Sequence, residues 1–439
     1  HPPVYFMLLQ IWMKVAPETE SWLRLLSLLF SILTLFPLYS LVKRVAGREA
    51  GLWTCVFVSL SAFHHQFAAE LRMYSMLEFL AVMTTDLLVR VEEAEDKPGR
   101  RVFILKGLYF ALSVVMLYVH YYGAFVLLSH AIFLVAWRGR DLGKRWLPVF
   151  AGIAVFFLPW SWNMLHQAGD KRLVWITEFY PSGVSFPAVL STLQYFGVGE
   201  WEALEGAAKN VPFFCLFLPL LIMGSVVSLR RGWLRSTANA GRATCLSAQP
   251  LLVLLLIVPF VCLIGISFFK PLFTPRYMIS TLPFYFALIA VGLRALPSRT
   301  IRLVVGAAVV AGLLFAFPDM AASRPRQDWL GIAKLLKEKI PKDALDKTLV
   351  LHTREDTKFC LDYYFQRREF SLPTGINIVW GGGKPFTAED SQPIYLCVLL
   401  LGERLDARTD LTQYLSDYVH EGTIPMRRRI YLEFFHLER

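Results

Sequence analysis

PLLVLLLIVPFVCLIGISFF, residues 250–269, carries no charged side chain and is long enough to cross the hydrocarbon core of a bilayer as one helix. Comparable runs of roughly 18–22 residues recur along the 439-residue chain. Spans are expected near 22–42, 51–64, 75–90, 103–119, 121–137, 146–164, 209–229, 250–269, 277–294 and 302–318. A soluble protein has no reason to repeat that length. The fold class is therefore a polytopic α-helical membrane protein with about ten spans. Composition agrees, since 55% of residues are hydrophobic against the roughly 45–50% usual for soluble domains.

Charge completes the topology. The net charge of +11 would suggest nucleic acid in a soluble protein, but here the excess sits in short loops between apolar runs. One set of loops holds Lys43, Arg44 and Arg48; Arg90, Lys97, Arg100 and Arg101; Arg138, Arg140, Lys144 and Arg145; Arg230, Arg231, Arg235 and Arg242; and Arg294, Arg299 and Arg302. The alternate set holds Arg72, Lys171, Arg172, Lys209, Lys270 and Arg276. By the positive-inside rule the first set is cytoplasmic, where it meets anionic headgroups, and no nucleic-acid partner is needed. Residues 1–20, 65–74, 165–208, 270–276 and everything after 319 then face outward. The segment 2–15 is too short to span and reads as a helix at the interface.

Beyond about residue 320 the composition changes, which divides the chain into a membrane domain, 1–319, and a small soluble α/β domain, 320–439. A helix is expected over 328–340, with Asp328 as its N-cap, and another over 410–419. Strands are expected at 348–352, 394–401 and 429–435. Gly381–Gly383 lacks the spacing of a phosphate-binding loop. The six cysteines show no metal-ligand spacing, and a Cys360–Cys397 disulfide is open to an outward domain.

Polar residues beside outward span ends are costly there and so mark function by default. Glu70 and Arg72, in AELRMYS (69–75), are two such residues on an otherwise apolar stretch. Arg72 suits a phosphate, with Glu70 orienting it or an acceptor hydroxyl, and an ion pair fixing the helix end is the equal alternative. His120 with Tyr121 and Tyr122, taken alone, reads as an aromatic belt. Arg276, at headgroup depth, either snorkels or binds a lipid phosphate. His1-Pro2-Pro3 reads as a helix start. His64 and His65 are adjacent, so their side chains diverge on a helix, and no metal or other cofactor is expected.

In order, HPPVYF (1–6), ELRMYS (70–75), YVHYYG (118–123), LPWS (158–161), PRYM (275–278) and QDW (327–329) resemble the family 39-like membrane glycosyltransferases. That superfamily includes protein O-mannosyltransferases, aminoarabinose lipid A transferases and many bacterial relatives, whose usual wording is HPPLYY, QEARMYSL, YTHYFA and RYLLPALP. The resemblance runs from His1 to about Tyr364. It implies a GT-C bundle that takes a sugar from a polyprenyl-phosphate donor to a protein, lipid or glycan acceptor outside the membrane, by displacement at the anomeric carbon. It also implies a bacterial inner membrane and a hexosyl- or pentosyltransferase of the cell envelope.

Carried over residue by residue, the resemblance makes His1, Arg72 and Arg276 the donor-phosphate residues. Tyr74, His120, Tyr121, Lys171 and Arg172 line the pocket with Glu70. In the family the catalytic base is an acidic residue in the first outer loop, upstream of HPP. This sequence begins at HPP, so the expectation is that the first span and that acidic motif are missing from it. Glu70 is then the acidic candidate within the chain, read more as a binding or orienting residue than as a base. The glutamine that relatives place before it is Ala69 here. Two rivals are weighed: a transporter or flippase of lipid-linked saccharide, and a non-catalytic scaffold. A carrier needs polar groups at depth and an internal repeat; the midplane is expected to be apolar, and no repeat is visible.

Overall fold

The computed structural model describes residues 2–15, 19–94, 99–138, 140–168, 186–198, 213–238, 248–270, 272–315, 329–339, 348–352, 377–380, 395–401, 418–426 and 430–437. The chain divides into two compact units, His1–Ser323 and Arg324–Arg439.

The first unit is helical. Its elements are α1 (Val4–Val15), α2 (Glu20–Ala46), α3 (Arg48–Leu60), α4 (Ala62–Ala68), α5 (Tyr74–Ala94), α6 (Arg100–Val119), α7 (Gly123–Arg138), α8 (Arg140–Ala168) and α9 (Phe186–Val198). A π-turn (Phe213–Phe217) then leads into α10 (Leu218–Ala238), followed by α11 (Gln249–Ser267), a 3-10 helix (Pro275–Thr281), α12 (Leu282–Ala295) and α13 (Arg299–Phe315). Among the described residues, six helical stretches are long and apolar enough to cross a membrane: Ser21–Ala46, Arg100–Val119, Arg145–Met164, Phe213–Gly232, Gln249–Ser267 and Pro275–Ala295. The other expected spans take different forms. Segment 51–64 is broken at Ser61, whose extended backbone ends α3 and caps α4 by accepting from the His64 amide at 3.2 Å. Helix α5 carries Glu78, Asp86, Arg90, Glu92 and Glu93, while α7 and α13 are apolar but shorter.

Large apolar side chains crowd the outside of the bundle: Phe36 is 69% exposed, Phe103 80% and Phe269 94%. In water such a surface would aggregate; in a bilayer it faces acyl chains. The chain is an integral membrane protein. At the centre lies α12, fully buried from Leu282 to Leu293 and flanked by α3, α10 and α11. Its contact with α10 is close because Gly292 meets Gly224. A Cβ at Gly224 would strike the Leu288 carbonyl, and one at Gly292 the Leu220 carbonyl. The turn from α2 to α3 needs Gly47 at φ 93 and is pinned by Arg294 on the Ala46 carbonyl and by Gln249 Nε2 on the Val45 carbonyl at 2.8 Å.

The bundle interior is not apolar throughout, contrary to expectation. His64 sits between Ser31 and Glu78, His130 between Thr85 and Tyr109, and Asp86 between Ser40 and Arg90. Asp86 is 1% exposed and ion-paired to Arg90 Nε at 2.6 Å, with Arg44 Nε at 3.7 Å. These groups bond to one another, which is how a polar side chain is tolerated at depth. Single-residue hydropathy hides them because their partners come from other helices.

The second unit holds α14 (Trp329–Lys339) and a five-stranded sheet in the order β2-β1-β3-β5-β4. The strands are β1 (Thr348–His352), β2 (Asn377–Trp380), β3 (Tyr395–Leu401), β4 (Tyr418–Met426) and β5 (Ile430–Leu437). β1 pairs parallel to β2 and β3, and β5 runs antiparallel to β3 and β4. The sequence reading missed β2 and β4, which are short or polar. Residues 410–417 of the expected helix lie outside the described residues, and Tyr418 and Val419 open β4 instead. Cys397 is buried in β3 as a free thiol, and Cys360, Asp328 and Gly381–Gly383 lie outside the described residues.

Candidate functional site

The site forms where loop Ala69–Met73 joins α4 to α5. Helix α4 ends as the Ala69 amide donates to the His65 carbonyl at 3.3 Å. Two side chains from α2 then hold the loop backbone: Arg24 Nη1 donates to the Ala69 carbonyl at 2.9 Å and Ser27 Oγ to the Arg72 carbonyl at 3.4 Å. With its proton so used, Ser27 accepts from the Tyr5 hydroxyl, 2.7 Å away, which ties α1 to the same place. Met73 is buried, so the loop closes onto the bundle while Arg72 reaches out, exposed, and Glu70 stays half-buried. Glu70 Oε2 is occluded from solvent and has no hydrogen-bond partner among the described residues.

Tyr74 opens α5 directly behind the loop and is fully buried. Burial raises its phenol above the ordinary range, while Arg72 and Arg276 draw it down and Glu70 pushes it up. The same Glu70 carboxylate acts on Tyr5, which is raised first by burial and lowered by Ser27. Arg72, Arg276 and Glu70 therefore all lie near enough to Tyr74 for their charges to act on its phenol, although Arg72 and Arg276 come from distant segments.

The turn between α6 and α7 and the 3-10 helix supply the other wall. The His120 ring lies 4.8 Å from that of Tyr122, 5.7 Å from Tyr277 and 6.2 Å from Tyr74. Tyr122 and Tyr277 meet edge to face at 5.0 Å. The Tyr122 amide donates to His120 Nδ1 at 3.2 Å, which requires that nitrogen to be unprotonated. Burial independently pushes His120 down to about 3. His120 is thus a neutral imidazole carrying its proton on Nε2, a donor rather than a cation. Tyr121 is half-buried, and its hydroxyl accepts from Trp160 Nε1 at 3.1 Å, bringing the LPWS segment of α8 alongside.

The structure therefore gathers Glu70, Arg72, Tyr74, His120, Tyr121 and Arg276 at one end of the bundle; His1, Lys171 and Arg172 lie outside the described residues. Sequence reasoning did not select Tyr5, Tyr122 and Tyr277, although it quoted them inside motifs. It missed Arg24 and Ser27 altogether. A signal for those two existed: Arg24, Ser27, Ser31 and Thr34 recur at helical spacing down one face of α2, a polar stripe in an apolar run.

The helical fold is that of an integral membrane protein similar in architecture to solved structures of ArnT and of an oligosaccharyltransferase. The model of the dolichyl-phosphate-mannose-protein mannosyltransferase family matches residues 1–162. Among solved structures the chain is similar to apo ArnT from Cupriavidus metallidurans, with a TM-score of 0.55 and 14% identity over 99% of this chain and 87% of that one. ArnT bound to undecaprenyl phosphate aligns with a TM-score of 0.52 and 13% identity, over the same shares of each chain. The Archaeoglobus fulgidus oligosaccharyltransferase, in complex with zinc and sulfate, aligns with a TM-score of 0.53 and 13% identity, over 82% of this chain and 52% of its own. No curated protein sequence matches the chain.

Proposed function

We propose that the chain is a membrane glycosyltransferase that moves a sugar from a polyprenyl-phosphate donor to an acceptor outside a bacterial inner membrane. What supports this reading is that Arg72, Arg276 and the half-buried Glu70 carboxylate come near Tyr74, beside the ring cluster of His120, Tyr122 and Tyr277. Two cations near one end of the bundle suit a phosphate held at headgroup depth. The undecaprenyl phosphate bound in an ArnT structure of the same fold supports that choice of ligand.

In the reaction, the acceptor oxygen bonds to the anomeric carbon as the bond from that carbon to the phosphate oxygen breaks. The electron pair leaves with the phosphate, as polyprenyl phosphate, and the acceptor's proton passes to a base. Arg72 and Arg276 stabilise the charge that grows on the departing phosphate. Glu70, with one occluded oxygen, orients the acceptor hydroxyl or takes its proton. Neutral His120, 4% exposed, packs behind these groups and adds no competing charge. Half-buried Tyr121 and Tyr122 supply ring faces and hydroxyls of the kind that hold a sugar, with Tyr277 packed edge to face on Tyr122.

Binding tests the reading before turnover does. The full chain in detergent, titrated with undecaprenyl phosphate, is expected to bind it, and Arg72→Ala and Arg276→Ala are each expected to weaken binding at least about tenfold. Affinity unchanged in both variants would remove the phosphate from this site.

A further inference from the structure

Among the described residues, the His64 ring bonds to Ser31 and Glu78 and to none of the candidate site residues. Its Nδ1 is 3.0 and 3.2 Å from the two Glu78 carboxylate oxygens, and its Nε2 is 2.5 Å from Ser31 Oγ. Ser31 is 4% exposed, His64 4% and Glu78 1%, too occluded for any of them to meet a donor or acceptor. Their order along the chain shows what they can do. His64 belongs to α4, immediately before loop Ala69–Met73, and Glu78 stands one turn into α5, immediately after it. The imidazole thus joins the two flanks of the loop, and Ser31 fastens that joint to α2. Ser31 also lies on the same stripe of α2 as Arg24 and Ser27, which hold the loop's carbonyls.

We infer that Ser31, His64 and Glu78 form a positioning chain that fixes the Ala69–Met73 loop and so sets Arg72 against Arg276. Two physical points carry it. Helix α4 is seven residues long, too short to persist without tertiary support, and that support includes Ser61 Oγ on the Phe196 carbonyl and the His64 ring on Ser31 and Glu78. A core position with no such task would take an apolar side chain, because a buried polar or ionic set is seldom the most stable filling and is retained where it specifies one arrangement. The inference rests on the donor-phosphate reading only for its consequence, not for the geometry.

Hydrogen–deuterium exchange and binding on the full chain test it together. In His64→Leu, exchange across 69–73 is expected to rise at least about tenfold while Leu282–Leu293 in α12 is unchanged. Affinity for undecaprenyl phosphate is expected to fall about tenfold, and adding Arg72→Ala is expected to cost little more, because a displaced Arg72 has already lost its contact. Glu78→Gln, which keeps an acceptor for Nδ1, is expected to retain most of the binding. If His64→Leu does not fold, Ser31→Ala carries the same comparison. Unchanged exchange at 69–73, a rise spread evenly over the bundle, or additive losses with Arg72→Ala would overturn the inference. Selective loosening of the loop in a protein whose wild type binds no undecaprenyl phosphate would support the positioning chain and overturn the donor reading instead.

Discussion

Arg72 and Arg276 hold the same charge in different surroundings, the first exposed and the second half-buried. Turnover measured with a lipid-linked donor is expected to fall about a hundredfold or more for either alanine variant. Lysine at Arg276 is expected to recover only part, since it keeps the charge and loses the planar fork. His120 behaves differently. Its folded value of about 3 lies below the ordinary 6.5, so the folded state holds the neutral ring and the unfolded chain takes the proton first. The stability this contributes is complete above about pH 6.5 and is lost as pH falls toward 3. His120→Gln is expected to flatten that acid limb of a melting-temperature profile; an unchanged limb would mean that the ring is charged when folded. The two arginines were legible in the sequence because a lone cation beside an apolar run is conspicuous. The neutrality of His120 was not, because it depends on the Tyr122 amide and on burial that only the fold provides.

Helices were legible as hydrophobic runs, but their contacts were not. The crossing of α10 and α12 at Gly224 and Gly292 joins positions far apart in sequence, and neither glycine lies in a motif. Leucine at Gly224 or Gly292 would drive a side chain into facing backbone that cannot yield as a flexible side chain does. Loss of stability of about 3 kcal/mol or more, read as a lower melting temperature in detergent, is expected for each. A melt within error of wild type would mean that the helices do not approach so closely. Asp86 was passed over because it sits mid-helix among apolar residues, with its partners Arg44 and Ser40 on α2. Asp86→Ala leaves Arg90 and Arg44 without that carboxylate. Because both arginines are about a third exposed, the expected cost is nearer about 1–2 kcal/mol than the full value of a buried pair.

For the whole molecule, fold class and family resemblance were legible because bilayer thickness dictates apolar length and the motifs fall in order. The polar interior was not, since buried hydrogen bonds between helices leave no mark on average hydropathy. The orientation expected from charge alternation, 270–276 outward and Arg299 inward, can be tested directly. In sealed vesicles, a cysteine introduced at Lys270 is expected to react with a membrane-impermeant thiol reagent from the outside and one at Arg299 is not; the opposite pattern would invert the site. The measurement that bears most directly on the proposed activity uses the full chain in lipid vesicles with labelled polyprenyl-phosphate sugars, following free polyprenyl phosphate. Release by wild type that disappears in Arg72→Ala is the expected result. Release that Arg72→Ala leaves intact, or movement of intact labelled lipid between leaflets with no release from any donor, would contradict it.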